Sequence, residues 1–366
     1  MKQISIIGLG VIGGSLGKAI KAKQPQLKVV GVDMSMEIVT EAHKRGIIDY
    51  GTDQASSGVE NADLVFLAVP LAAIPDTCRK IAPFLKDGAI VTDVGSTKEN
   101  MVKLMEELLP RSVSFIGGHP MAGSEKWGLH GVNELLFENA IYILTPTNKT
   151  NLEAIDTVKS IIESLGAKII LLSPTEHDRK VAAVSHLPHL AASALVNTIG
   201  ALEEKEQGYF TLAAGGFRDT TRIAAGNSEM WSDILQQNEK SLLPLITEFI
   251  ESLQEFEQAL RGKDSARLLQ LLARARHWRE NVPTGLKGML SQLFELTVTV
   301  PDRPGVIAEL SNLLGNNQIN IIDIEIQRVR EQDEGTIRLG FSEEQARDQA
   351  LMLLYNNGFY AQKSGL

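Results

Sequence analysis

The chain of 366 residues has one cysteine, Cys78, few aromatics (5%) and no apolar run that approaches the length of a membrane span. A single cysteine excludes an intramolecular disulfide and fits a reducing compartment; its plainest role is that of a small buried side chain on a helix. Basic charge is in deficit as well, with 36 Lys and Arg against 45 Asp and Glu, a net charge of -9. That balance argues against nucleic acid or an anionic membrane as partner. The N-terminus reads directly as a strand, with no basic region or cleavable apolar segment, so a cytoplasmic location is expected. No metal site is expected. What the chain does have is enough hydrophobic content, 43%, to fill two or three cores.

The apolar run Ile4, Ile6, Ile7 leads into Gly8, Gly10 and Gly13, and the helical spacing of Leu16, Ala19 and Ile20 follows. This is a buried strand, a glycine turn and a helix start, with Leu9, Val11 and Ile12 filling the turn. Gly8 permits the tight turn, Gly10 lets the backbone approach a pyrophosphate, and Gly13 lets helix pack on strand. A second strand, Leu27 to Val32, ends at Asp33, where a carboxylate accepts hydrogen bonds from an adenosine ribose and repels a 2′-phosphate. No arginine directly follows it (Met34 and Ser35 do), so NAD is the expected cofactor rather than NADP.

Strand and helix patterns alternate to about residue 172, the rhythm of a doubly wound α/β sheet. Strands are predicted over Asp63 to Pro70, Ala89 to Asp93, Ser114 to Gly118, Ile141 to Leu144 and Ala167 to Leu171, with a helix from about Leu152 to Leu165. Ligands of such sheets sit at the carboxyl ends of strands. Three segments fall there: Val69-Pro70, the turn Gly95-Ser96-Thr97-Lys98, and GGHPMAGSE at 117 to 125. The last sets His119 between two flexible glycines and a rigid proline, a tight loop suited to a group that must meet a substrate. A solvated surface turn is the bland alternative.

From Ser173 the pattern is helical. Ser173-Pro174-Thr175-Glu176 opens a helix, and later helices are predicted over Met230 to Arg261 and Ser265 to Glu280, the latter with a solvated arginine face. Within SHLPHL, Ser185, His186, Pro188 and His189 interrupt an apolar helix, and the proline removes a backbone hydrogen bond, a kink able to expose a side chain. Core histidines with satisfied partners are the alternative. The segment 214 to 224 carries Arg218 and Arg222 beside glycines, suited either to gripping carboxylates bidentately or to a surface salt-bridge cluster. Trp231 is either a pocket wall or a core residue. His177, in TEHDRK, reads as a helix-start residue or one that supports a catalyst.

GLGVIGGSLG at 8 to 17, DVGSTK at 93 to 98, GGHPMAGSE, SHLPH at 185 to 189 and FRDTTRIA at 217 to 224, in this order, resemble the prephenate dehydrogenases of tyrosine biosynthesis over about residues 1 to 290. The resemblance implies oxidative decarboxylation of prephenate to 4-hydroxyphenylpyruvate with hydride transfer to NAD+. It implies His119 as the catalytic histidine, Ser96 beside it, Arg222 on a substrate carboxylate, and His189, Ser185 and Trp231 as further substrate contacts. Gly8, Leu9, Gly10, Val11, Ile12, Gly13, Asp33, Val69, Pro70 and Ser96 would line the cofactor. Arogenate dehydrogenase or a dual-specificity cyclohexadienyl dehydrogenase is the neighbouring reading, and a non-catalytic NAD sensor the distant one.

The last seventy residues read as a separate βαββαβ unit of ferredoxin-like order. Strands are predicted over Phe294 to Val300, Ile319 to Arg328, Thr336 to Phe341 and Phe359 to Gln362, with helices from about Asp302 to Gly315 and Glu343 to Asn356. This resembles an ACT domain, whose helix start and following asparagine would place Asp302, Gly305, Val306 and Asn320 around a free amino acid. L-tyrosine is the expected inhibitor; a dimerisation module without ligand is the alternative. The expected organisation is a Rossmann-type domain over 1–172, an all-helical substrate and dimerisation domain over 173–290, and an ACT domain over 291–366. Residues 281 to 291 would form the linker of a homodimer or higher homo-oligomer.

Overall fold

A computed structural model describes residues 1–123, 128–282, 294–327 and 334–364. The chain divides into two compact units, Met1–Leu272 and Ala273–Leu366. The first opens with β1 (Gln3–Ile7), α1 (Val11–Lys23), β2 (Lys28–Val32), α2 (Met36–Lys44), β3 (Tyr50–Thr52), α3 (Ala55–Val59), β4 (Leu64–Leu67), α4 (Ile74–Ile81), β5 (Ile90–Asp93) and α5 (Glu99–Leu108). β6 (Ser114–Pro120), β7 (Ile141–Thr145), α6 (Leu152–Ser164) and β8 (Lys168–Leu171) follow. They form one eight-stranded sheet in the order β3-β2-β1-β4-β5-β6-β7-β8. The central strands β1, β4 and β5 are buried on both faces, as a sheet covered by helices requires, while β3 and β8 at the edges are more exposed. Ile4, Ile6, Leu64 and Phe66 pack in one layer; Ile7, Val65, Leu67 and Val91 pack in the other, where the Cys78 side chain is also buried.

Two features depart from the sequence reading. The three-residue β3 is too short to carry an alternation pattern. β7 pairs antiparallel with β6, in the register Gly117↔Thr145 to Pro120↔Tyr142, so the sheet is not wholly parallel. That pairing extends β6 past Gly118 to Pro120.

Helices follow the sheet: α7 (Pro174–Val181), α8 (Leu187–Glu203), α9 (Gly215–Thr221), α10 (Ser228–Gln237), α11 (Glu239–Arg261) and α12 (Ser265–Glu280). Ser173 caps α7 by accepting a hydrogen bond from Glu176 N–H at 3.2 Å, with Pro174 at the first helical position. The predicted helix over Met230 to Arg261 is two helices, broken at the buried Asn238. The proline of SHLPH bends nothing outward: a π-helical turn, Ala182–His186, precedes α8, and Leu187 N–H reaches back to the Ala182 carbonyl. A wider turn absorbs the donor that Pro188 lacks, and both histidines stay buried.

The second unit contains β9 (Phe294–Pro301), α13 (Val306–Asn316), β10 (Asp323–Gln327), β11 (Glu334–Phe341), α14 (Glu344–Asn356) and β12 (Tyr360–Ser364). The sheet is antiparallel, ordered β10-β11-β9-β12, over a core of Leu296, Val298, Leu310, Leu314, Leu339 and Leu354. β10 begins at Asp323, four residues later than the run of isoleucines suggested. Residues 283–291 of the proposed linker, like Ser124 and Glu125, lie outside the described residues.

Candidate active site

The glycine turn after β1 is shaped for a dinucleotide. Gly8 adopts φ +93°, and a Cβ there would stand 2.4 Å from the Ala68 carbonyl oxygen; a Cβ on Gly13 would stand 1.9 Å from that of Gly8. Both positions exclude any side chain. At Gly10, by contrast, nothing lies within 4 Å of where a Cβ would be. The backbone there is open to an incoming pyrophosphate, and α1 begins with no side-chain cap and no acid in its first turn. Its N–H groups and the positive end of its dipole fit an anion. Asp33, at the end of β2, accepts Leu9 N–H (3.0 Å) and Ser35 N–H (3.1 Å), which fixes its carboxylate beside the turn. Met34 next to it is 97% exposed, and no cation follows. These residues suit a ribose diol.

Val69 and Pro70 leave β4 alongside, Val69 within 3.1 Å of the position a Gly8 Cβ would take. The next strand end carries Ser96, half-buried, in the turn from β5 to α5. That turn is built on a fully buried ion pair between Asp93 and Lys98. Asp93 also accepts Gly95 N–H (2.9 Å) and Gly118 N–H (3.1 Å), so one carboxylate joins the ends of β5 and β6. Removing either partner of such a pair typically costs about 3–5 kcal/mol, because the other charge stays buried. In the sequence Lys98 shows only as part of a turn, because its partner Asp93 is buried with it by the fold.

His119 is not on a flexible loop. It lies within β6, opposite Ile143, and is 7% exposed. Its two glycines serve close packing: a Cβ on Gly117 would meet Thr145 Oγ1 at 2.3 Å, and one on Gly118 would meet the Asp93 carbonyl oxygen at 2.5 Å. The strand holds the imidazole against α7, where His119 Nδ1 stands 2.8 Å from His177 Nε2 and His177 Nδ1 stands 2.7 Å from Asp178 Oδ1. Asp178 can only accept, so His177 donates from Nδ1 and accepts at Nε2, and His119 donates from Nδ1. The His119 lone pair is thereby at Nε2. Burial, then His177, Lys98 and His186, hold its pKa well below the usual imidazole value, so the ring is neutral at physiological pH.

His186 and His189 differ in their surroundings. His186 is fully buried, with Nδ1 3.2 Å from Asn238 Nδ2, and burial pushes its pKa down to about 4 against the opposing effect of Asp178. His189 stacks on Trp231 at 3.6 Å between ring centroids and 16° between planes. Its ring nitrogens are buried with no hydrogen-bond partner among the described residues; the Ile223 carbonyl is near enough to favour the charged form slightly, while burial dominates and lowers the pKa. Trp231 is therefore both a wall for His189 and a packing residue on the nucleotide-binding core. Arg222 begins the short 3-10 turn Arg222–Ala225. That turn leads to Gly226, where a Cβ would come within 2.7 Å of Trp231 Nε1 and 3.4 Å of His189 Nε2. Ser185 lies half-buried in the π-helical turn.

Two groups thus come together directly: His119 with His177 and Asp178, and His189 with Trp231 and the turn that Arg222 starts. Asp178 and Asn238 were not found from sequence. The adjacent His-Asp of TEHDRK was the available signal for one, and the polar interruption of a long apolar periodicity for the other. In the second unit, Gly305 caps α13 at φ +91°, a left-handed conformation suited to glycine, with open space around it. Asp302 and Asn320 are exposed, and Val306 is buried in the core of this unit.

Comparison with known proteins agrees with this arrangement. Residues 16–171 match the model of the prephenate dehydrogenase nucleotide-binding domain, 173–274 that of the prephenate dehydrogenase dimerization domain, and 294–353 that of the ACT domain. A prephenate dehydrogenase of Bacillus subtilis is 37% identical over 348 residues, 95% of this chain and 94% of that one. A cyclohexadienyl dehydrogenase of Zymomonas mobilis is 36% identical, covering 74% of this chain and 92% of that one. The crystal structure of a prephenate dehydrogenase from A. aeolicus, in complex with hydroxyphenyl propionate and NAD+, superimposes with a TM-score of 0.73 at 33% identity, covering 77% of this chain and 99% of that one. A Rossmann-like sheet with a glycine turn, a helical region, and an antiparallel ACT unit, each matched in sequence, lead to one conclusion: the chain belongs to the prephenate dehydrogenase family.

Proposed function

We propose that this chain oxidises prephenate with NAD+, releasing carbon dioxide and 4-hydroxyphenylpyruvate, and that His119 is its proton acceptor. The observation that carries the reading is the hydrogen bond from His119 Nδ1 to His177, which leaves a neutral Nε2 lone pair at the carboxyl end of the sheet. When bound, NAD+ supplies the hydride acceptor. His119 Nε2 takes the hydroxyl proton as the ring hydroxyl becomes a carbonyl, a stabilisation that grows towards the transition state. Ser96, on the neighbouring strand end, holds the same hydroxyl or the imidazole. Arg222 binds a substrate carboxylate, and His189, held flat on Trp231 beside the turn that Arg222 starts, is a further substrate contact, with Ser185 nearby in sequence. Gly8 to Gly13, Asp33, Val69 and Pro70 would hold the nucleotide. The division at 172/173 and 290/291 belongs to the same reading.

The active species in this reading is a cytoplasmic homodimer. α8 is strongly apolar, yet only His189 and Ala192 of it are buried. Val184, Leu212, Leu243, Leu253, Leu260 and Leu269 are each more than half exposed, apolar side chains of the helical region that a second copy would cover. Asp302, Gly305, Val306 and Asn320 would hold L-tyrosine as inhibitor.

A second reading, in which arogenate is also oxidised, is favoured by the cyclohexadienyl dehydrogenase among the relatives. The test is NADH formation from prephenate and from arogenate, each with NAD+ and NADP+, with and without tyrosine. Turnover of prephenate with NAD+ that tyrosine suppresses is expected. Turnover of both substrates would establish the second reading, whereas turnover of arogenate alone, or of neither substrate, would end both.

A further inference from the structure

We propose that Asp178, acting through His177, is the positioning carboxylate of His119. It fixes which nitrogen of His119 accepts the proton, and it clamps the Ser96 turn in the same register. The proposal rests on the dehydrogenase reading for its kinetic consequences but not for its structural ones.

Asp178 is 3% exposed, and three donors converge on it. Oδ1 accepts Lys98 N–H at 2.7 Å and faces His177 Nδ1 at 2.7 Å; Oδ2 accepts Glu99 N–H at 2.8 Å. The two backbone donors are those of the cap residue Lys98 and of Glu99, the first residue of α5, a ten-residue helix with no side-chain cap of its own. Asp178, eighty residues further along the chain, caps that helix from α7. Such a set of donors suits only an ionised acceptor. The negative charge is thus held by a helix N-terminus on one side and offered to His177 on the other. Asn238 fixes the backbone of the same residue: its Nδ2 donates to the Asp178 carbonyl at 2.9 Å and lies 3.2 Å from His186 Nδ1.

The consequence for His119 is directional. A histidine bridged to a fixed carboxylate through a second histidine has one neutral tautomer, with Nδ1 protonated and Nε2 free to accept. Once Nε2 has taken the substrate proton, the imidazolium faces cationic or neutral groups on its own side: Lys98 from the β5–α5 turn, His177 from α7 and His186 from the π-helical turn. Asp93 is already spent on Lys98, Gly95 and Gly118. Asp178 is then the anion that the hydrogen-bond chain connects to His119. The proton remains on His119; the relay orients the ring and offsets its charge, and no proton need reach Asp178.

Asp178→Asn is the informative change. An asparagine would present an N–H₂ either to His177 Nδ1 or to the α5 N-terminus. Towards His177 it would reverse both histidine tautomers and turn His119 Nε2 into a donor. Turnover is expected to fall about a hundredfold to ten-thousandfold, as for other histidine bases that lose their carboxylate partner, with KM and the Kd for NAD+ changed far less. Ring-nitrogen NMR of the wild-type full chain should show His119 protonated at Nδ1, and the variant should show it at Nε2. The wild-type spectrum decides the tautomer even if the variant fails to fold for want of its helix cap. Wild-type His119 protonated at Nε2 would overturn the proposal, as would a folded variant with native turnover. A wild type inert towards prephenate would instead defeat the dehydrogenase reading, while its spectrum would still judge the relay.

Discussion

Replacing Gly118 with alanine should damage stability and turnover together. Gly118 sits one residue before His119 in β6, between the Asp93 carbonyl of β5 and Tyr142 of β7. A Cβ there would stand 2.5 Å from the carbonyl oxygen, 2.9 Å from Thr92 Oγ1 and 3.0 Å from Tyr142 Oη, and the first neighbour is backbone that cannot rotate away. To relieve the contact, β6 must move away from β5, which stretches the 3.1 Å bond from Gly118 N–H to Asp93. Overpacking of a well-filled site costs about 1–3 kcal/mol. For a unit of this size that corresponds to a fall in Tm of roughly 3–10 °C. His119 moves with the strand, and a misplacement of about 1 Å is worth about a hundredfold in rate. Thermal denaturation and steady-state turnover on one preparation make the assay. Gly315→Ala, in α13 where nothing lies within 4 Å, serves as the control and should gain about 0.5–1 kcal/mol without touching kcat. A Gly118→Ala protein with native Tm and native kcat would refute the reasoning that the glycine is there for close approach.

Further outcomes are expected elsewhere. Gly13→Ala, whose Cβ would lie 1.9 Å from the Gly8 carbonyl oxygen, should weaken NAD+ binding at least tenfold, measured by titration of the apoprotein, because the turn must open. Stability should fall as pH drops from about 6.5 towards 4: His186 titrates near 4 when folded and near 6.5 when unfolded, so in that window the unfolded chain binds more protons, worth up to about 1.4 kcal/mol per pH unit. Urea midpoints at pH 7 and pH 5 check this, and His186→Asn should flatten the slope. Under the homodimer proposal, Leu243→Glu, at an exposed leucine of α11, should raise the dissociation constant about thirtyfold or more in sedimentation analysis; an unchanged oligomeric state would count against that face as the interface.

Much of this was legible in the sequence because the signals were local. Ile4, Ile6 and Ile7 before Gly8, and the run of Leu64 to Leu67, are strands buried on both faces, so continuous apolar stretches announced them. Ser173-Pro174 marked a helix start because cap and proline act within one turn. His119 was identified as a reactive residue but placed on the wrong element: its glycines looked flexible because nothing in the sequence shows that β7 will pair antiparallel and press Tyr142 and Thr145 against them. Asp178 escaped for a related reason. Its partners are Lys98, Glu99 and His177, two of them eighty residues away in sequence, and a helix capped from a distance has no local cap motif to read. Asn238 looked like an ordinary polar position on a long helix, because the break it makes serves a hydrogen bond to the Asp178 carbonyl. The SHLPH proline showed that the helix was perturbed, but whether a kink or a π-helical turn results depends on packing against Trp231 and α11.

The most direct test of the account is the turnover of His119→Asn with prephenate and NAD+, measured beside its affinity for NAD+. kcat is expected to fall by about a hundredfold or more with cofactor affinity nearly unchanged, since asparagine keeps the shape of the site and loses the proton acceptor. Turnover near that of the wild type would contradict it.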